Sequence, residues 1–321
     1  MDTANLILRN KVSRRKFITG VSAGMGATAA VAFASGCGSD DSSNATTTAA
    51  PTTTAAPNAE ATDIAILNFA LNLEYLEAEF YLRAVTGAGL AAADIGTAPG
   101  AVTGGTTAVP FQTPSIQEYA VEIAGHEQLH VQELRATITA LGGTPADRPA
   151  IDLQASFIAA ATAAGVANAS SFNPFADENS FLLGAFIFED VGVTAYNGAA
   201  PLITNKTAVL PAAGGIVAVE AYHAGLVRSL IVALGGATLT AADQISALRG
   251  AASSVATGAL SAEVAPSSST LVPADPNTSV GYARTTDQVL HIVYLGATAG
   301  VVTKGGFYPN GMTGTIVASA S

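Results

Sequence analysis

One cysteine, no tryptophan and a 12% share of charged residues mark what this 321-residue chain does without. A lone cysteine, Cys37, leaves no intramolecular disulfide, no thiolate-held zinc or iron–sulfur cluster and no catalytic thiol in the folded body. Globular domains carry roughly 25% charged residues, so half the ordinary surface charge is missing. The charge that remains runs acidic, with 13 Lys and Arg against 24 Asp and Glu and a formal net charge of -11. No basic cluster survives beyond the first 36 residues, which argues against a nucleic-acid partner, because phosphates need cationic side chains to meet them. A disordered chain is excluded by the opposite measure, 49% hydrophobic residues and a mean hydropathy of +0.40. Ala, Gly and Thr supply much of that hydropathy, and no run of about 20 uninterrupted, strongly apolar residues offers a membrane span.

The basic residues that are present gather at the N-terminus. Arg9, Lys11, Arg14, Arg15 and Lys16 precede a weakly apolar run from Ile18 to Gly36, the pattern of a secretory signal over residues 1–36. Ser13-Arg14-Arg15-Lys16-Phe17-Ile18 resembles the twin-arginine signal, which exports folded proteins. Ala34-Ser35-Gly36-Cys37 resembles a bacterial lipobox, with Ala34 where Leu is commoner. The expectation is a protein exported by the twin-arginine route to the cell envelope, either lipid-anchored at a membrane surface through Cys37 or periplasmic or extracellular, with no other link to a membrane; an uncleaved anchor with an incidental Arg pair is the plainer alternative. Residues 37–61 are rich in Ser, Thr, Ala and Pro, with ATTTAAP followed by PTTTAAP, and read as an extended tether. Without the signal's five basic residues and one acid (Asp2), 8 basic and 23 acidic residues remain, a net charge of -15.

Residues 62–321 form the folded body and its C-terminal extension. Helix patterns run over Asp63–Val85, where Ile64, Leu67, Leu71, Glu74 and Ala78 recur at helical spacing, and over Pro114–Leu141, Asp177–Ala199 and Pro211–Leu234. Gly87, Gly142-Gly143 and Gly235-Gly236 stop three of them. Shorter helices are expected near 153–164, 241–255 and 284–303. The four long ones form two related halves. Glu127-x-x-His130 is followed by Arg135 and Ala140, and Glu220-x-x-His223 by Arg228 and Ala233, at identical offsets. Glu74 precedes Tyr81 by seven residues, as Glu189 precedes Tyr196. Seven residues at 100° each nearly close two turns, so each Glu and Tyr share a face roughly 10 Å apart.

One Glu from each of two helices, plus Glu-x-x-His from each of two others, resembles the ligand pattern of ferritin-like di-iron and di-manganese carboxylate proteins. Glu and His three residues apart lie about one turn apart on nearly one face. LNLEYLEAEFYL, HEQLHVQELR, FEDVGVTAY, VEAYHAGLVRSL and GFYPNGMTGTI resemble, more narrowly, the branch holding the plant desiccation-related proteins and their twin-arginine-exported bacterial relatives. The resemblance implies an all-α, ferritin-like four-helix bundle with a long crossover, residues 142–176, between the second and third long helices. It implies Glu74, Glu127, His130, Glu189, Glu220 and His223 as ligands of two Fe or Mn ions, a hard-donor set suited to those metals.

Other residues admit more than one reading. Glu77, one turn beyond Glu74, competes with it, and alignment through Tyr81 favours Glu74. Tyr81 and Tyr196 are hydrogen-bond partners of the ligands or buried core; Arg135 and Arg228 pair with ligating carboxylates or lie on the surface. His126-Glu127-Gln128-Leu129-His130 also matches the His-Glu-x-x-His helix of zinc hydrolases, but that leaves Glu220-x-x-His223 without a purpose, so His126 is expected beside the site or on the surface. His291, in DQVLHIVYL, reads as a core or surface histidine. The functional expectation is an oxidoreductase, catalase-like or ferroxidase-like, acting on peroxide, dioxygen or Fe(II). The alternative is a stress-protective binding or structural protein on the same scaffold. A tethered N-terminus and a long C-terminal extension argue against closed-shell iron storage, while other homo-oligomers stay open.

Overall fold

In the computed structural model the described residues are 59–256, 263–296 and 298–320. The signal, Cys37 and the tether as far as residue 58 lie outside them; the tether's expected end at residue 61 is corrected, because residues 59–61 already form the first turn of a helix. Among the described residues seven α-helices follow in chain order: α1 (Ala59–Thr86), α2 (Pro114–Ala140), α3 (Ala155–Ala164), α4 (Glu178–Ala199), α5 (Val209–Leu234), α6 (Gly236–Val255) and α7 (Thr286–Val293). Pro114 opens α2, where its missing N–H costs nothing. Asp177 caps α4 by accepting the Ser180 N–H, and Thr285 and Gln288 form a reciprocal capping box at α7.

The four long helices make an all-α bundle in which α1 packs on α2 and α4 on α5, and the pairs meet through α1–α4 and α2–α5. α5 is long and apolar enough to cross a membrane by composition alone, yet its polar residues Glu220, His223 and Arg228 are all buried within the bundle. The crossover from α2 to α4 carries α3 and a two-residue strand, β2 (Ile151–Asp152). β2 pairs in parallel with β1 (Val102–Thr103) of the α1–α2 loop, which ties the two connections together.

α1 and α4 are the centre. Every residue from Ile66 to Tyr81 and from Phe181 to Gly192 is buried, because the connections and the C-terminal segment cover the faces that α2 and α5 leave open. Phe80 packs on Phe157 of α3 and on Phe175, Phe181 and Phe188, while Phe307 closes on Phe157 and Phe188 with ring centres 5.1 and 4.9 Å apart. Burying each such ring contributes about 1.5–3 kcal/mol. The tail is fastened by polar contacts as well: the Tyr308 hydroxyl donates to the Asn72 carbonyl, and Asn72 Oδ1 accepts the Thr313 N–H.

The expected helix over 284–303 is corrected: α7 spans only Thr286–Val293. The chain turns back through Leu295, at φ 55°, and the Phe307 N–H takes the Val293 carbonyl. Near the start of α1, Asp63 accepts the backbone N–H groups of Thr204 and Asn205, each at 2.8 Å, pinning the α4–α5 connection. Burial works against its charge, but these donors hold the Asp63 carboxyl below the ordinary aspartate range. A carboxylate so depressed stabilises the fold above the usual aspartate pKa and stops doing so as pH falls through its own lower value. Asp63→Asn is therefore expected to cost about 1 kcal/mol at neutral pH. In urea melts of both proteins across acid pH, the deficit should shrink as the medium is acidified.

Candidate metal centre

Each long helix delivers its carboxylates inward: Glu74 and Glu77 from α1, Glu127 from α2, Glu189 from α4 and Glu220 from α5, all buried. His130 Nδ1 lies 3.2 Å from Glu74 Oε2 and 3.4 Å from both Glu127 Oε2 and Glu220 Oε1. His223 Nδ1 lies 3.0 Å from Glu127 Oε1 and 3.5 Å from Glu189 Oε2. The six residues singled out from the repeat thus converge on one place. They form two groups, Glu74, Glu127, His130 and Glu220, and Glu127, Glu189 and His223, with ligand atoms within 4.8 Å of one another in each. Glu127 belongs to both and turns one oxygen to each imidazole.

The donor set fits metal cations. Both oxygens of Glu127 and of Glu220, together with Glu189 Oε2 and Glu77 Oε2, are buried, and apart from the His130 and His223 ring nitrogens, 3.0–3.5 Å from four of them, no donor reaches them. Leaving ionised carboxylates so is expensive unless a cation neutralises them. Oxygen donors with two imidazoles and no thiolate suit Fe or Mn. The ionisation equilibria of these groups reflect the same crowding. Burial, with the charge of Glu127, pushes Glu74 up to about 7. Burial and neighbouring carboxylates drive Glu77 and Glu220 well above the usual range, and burial raises Glu189 too. Glu127 goes the other way: burial raises it, but the hydrogen bonds and charges of His130 and His223 outweigh this and bring it to about 2. Burial opposes charging of the histidines, yet Glu189 and Glu127 carry His223 up to about 11, and Glu127, Glu220 and Glu74 lift His130 further. Protons thus stand in for cations, and a metal entering the cluster would displace them.

The tyrosines bond crosswise. Tyr81 donates to Glu189 and Tyr196 to Glu74, each serving the carboxylate of the opposite half. Two turns of helix separate a tyrosine from its own Glu, too far for a hydrogen bond, while the facing helix brings the other Glu within reach. The arginines do not touch the cluster, and their pairing with ligating carboxylates is corrected. Arg135 donates to the Tyr75 hydroxyl at 2.6 Å. Arg228, fully buried, donates to Asp190 Oδ2 at 2.8 Å and to the carbonyls of Leu271 and Val264. Eight residues past each Glu turns the helix roughly 80° away from the cluster face. Arg228 belongs instead to a buried ion network with Asp190, Arg249, Glu263 and Arg284.

His126 is in neither group; its Nδ1 lies 2.9 Å from His223 Nε2, with the rings stacked. His126 and His130 therefore share no ligand cluster, and the zinc-hydrolase reading of His-Glu-x-x-His is not supported. His291 is buried, with Nδ1 2.7 Å from the Gly296 carbonyl.

Glu77 is the residue that the repeat alignment passed over. Its counterpart, three residues past Glu189, is Gly192. A Cβ there would lie 2.3 Å from Glu220 Oε2 and 3.2 Å from Glu77 Oε1. The two-fold relation breaks at this point: glycine leaves the space that Glu220 and Glu77 occupy. Glu74-x-x-Glu77 set against Glu189-x-x-Gly192 was the available signal.

A family model described as Ferritin-like domain matches residues 62–233. The chain is 31% identical over 280 residues to the ferritin-like catalase Nec2 of Nesocodon mauritianus, across 80% of this chain and 85% of that protein. It is 31% identical over 176 residues to the desiccation-related protein PCC13-62 of Craterostigma plantagineum, across 53% of each, so the chain spans about half that relative's length. No solved structure matches the chain.

Proposed function

The chain belongs to the ferritin-like family, and on that premise we propose that it is a di-metal carboxylate oxidoreductase acting on peroxide. The observation that carries this reading is Glu127, a single carboxylate with one oxygen toward His130 and the other toward His223. Glu74, Glu127, His130 and Glu220 would hold one Fe or Mn ion, and Glu127, Glu189 and His223 the other. Two such ions supply paired one-electron oxidation-state changes, the chemistry that splits an O–O bond. Tyr81 and Tyr196 fix the orientation of Glu189 and Glu74. The phenylalanines packed between α1, α3 and α4 keep bulk water from that side of the cluster. Disproportionation oxidises one peroxide to dioxygen and reduces another to water, so it needs no external reductant. That suits a chain with no cysteine module to relay electrons, and the likeness to a ferritin-like catalase favours peroxide over dioxygen or Fe(II). The twin-arginine and lipobox resemblances support the cell envelope as the site of this activity.

Protein matured in its host is expected to carry about two Fe or Mn ions per chain and to evolve dioxygen from peroxide. His130→Ala should lower turnover by more than about 100-fold, beyond the 10–100-fold typical of losing a ligand's hydrogen-bond partner. Fewer than one ion per chain, or unchanged turnover in His130→Ala, would overturn the reading. A second reading, a non-catalytic stress protein on the same scaffold, draws support from the likeness to a desiccation-related protein. It would stand if the metal-bearing protein left peroxide untouched.

A further inference from the structure

His126 is left unused by the ligand set, although it heads the His-Glu-x-x-His segment. Its ring lies half-buried where α2 meets α5, stacked 5.2 Å from the ring of His223 at an interplanar angle of 9°. His223 turns Nδ1 toward Glu127 and Glu189, so Nδ1 is the nitrogen available to a metal. A neutral imidazole that coordinates through one nitrogen carries its hydrogen on the other. His223 Nε2 is therefore the donor in the 2.9 Å contact, and His126 Nδ1 the acceptor. The repeat offers no equivalent for the other half: the residue preceding Glu220 is Val219. The two candidate metal positions are unequal in donors as well, four residues in the group that includes His130 and three in the group that includes His223.

We propose that His126 is a positioning residue for the three-donor metal position: by accepting the Nε2–H of His223 it fixes the tautomer and ring orientation that keep Nδ1 free to ligate. The inference rests on the di-metal reading above and assigns a role within it. Its hydrogen bond and its ring contact both go to His223, not to Glu127 or His130, so its positioning effect falls on the His223 position. Partners of this kind typically change metal affinity by 10–100-fold.

The test is stepwise cobalt(II) titration of the full-length protein, His126→Leu and His126→Asn, following heat and visible absorption, with circular dichroism confirming equal folding. The wild type should take up two ions. His126→Leu should bind the first unchanged and the second about 10–100-fold more weakly, with an altered absorption band for the second ion. His126→Asn, whose Oδ1 can accept the same N–H, should restore both. Two unchanged binding steps and spectra in His126→Leu would overturn the inference while leaving the di-metal reading intact. So would a His126→Asn protein as impaired as His126→Leu, since ring bulk rather than acceptance would then be what matters. A wild type binding fewer than two ions would instead overturn the di-metal reading, and this inference with it.

Discussion

Glu127→Ala is expected to empty both metal positions at once, whereas Glu189→Ala should empty one. Glu127 is the only residue that belongs to both ligand groups, and its two oxygens face different imidazoles. It is also the carboxylate held most firmly in its charged form, because both histidines act on it. Removing it takes a donor from each ion and the shared negative charge between them. Each affinity should fall by at least about 100-fold, or about 2.7 kcal/mol per ion. Glu189 faces His223 alone, and its loss should leave the His130 group able to bind. Metal content after equilibrium dialysis against limiting Mn(II) separates the cases. One ion retained by Glu127→Ala would show that the carboxylate is not shared.

Asp190→Ala is expected to be the most destabilising substitution outside the cluster, costing about 3–5 kcal/mol. Asp190 Oδ2 accepts from both Arg228 Nη1 and Arg249 Nη2 at 2.8 Å, and the two guanidinium groups have almost no exposure. Glu263 supplies the other negative charge. Burial raises its pKa, but Arg249 and Arg284 more than offset this and keep it ionised. Three buried cations thus rest on two buried anions. Deleting Asp190 leaves Arg228 with only the Leu271 and Val264 carbonyls, and a buried unpaired charge is far costlier than a missing pair. Denaturant unfolding of the two proteins measures the difference. A loss below about 1 kcal/mol would place the network within reach of water, where such pairs contribute little.

The four long helices were legible because glycine stops and a repeated Glu-x-x-His left few alternatives, and the repeat itself marked the six residues that converge. What escaped was decided by contacts distant in sequence. Gly235-Gly236, read as a stop, is a tight corner that leads straight into α6, with Gly235 at φ 62°. The end of α7 depends on Phe307 reaching back to Val293. The crosswise tyrosine bonds follow from the spacing between helices, which periodicity does not report. Arg228 matches Arg135 in offset yet lies buried, because Asp190 and the chain beyond Val264 give it partners that Arg135 lacks. Glu77 was weighed and set aside by the symmetry that exposed the rest: aligning the halves on tyrosine set it opposite Gly192, whose missing side chain leaves the room that Glu77 and Glu220 fill.

The most direct test of the di-metal reading is a crystal structure of protein matured in its host, with anomalous scattering measured at the Mn and Fe edges. Two peaks are expected, one beside His130 among Glu74, Glu127 and Glu220, the other beside His223 between Glu127 and Glu189. Fully occupied side chains in this arrangement with no anomalous peak between them, or a lone peak elsewhere in the fold, would contradict it.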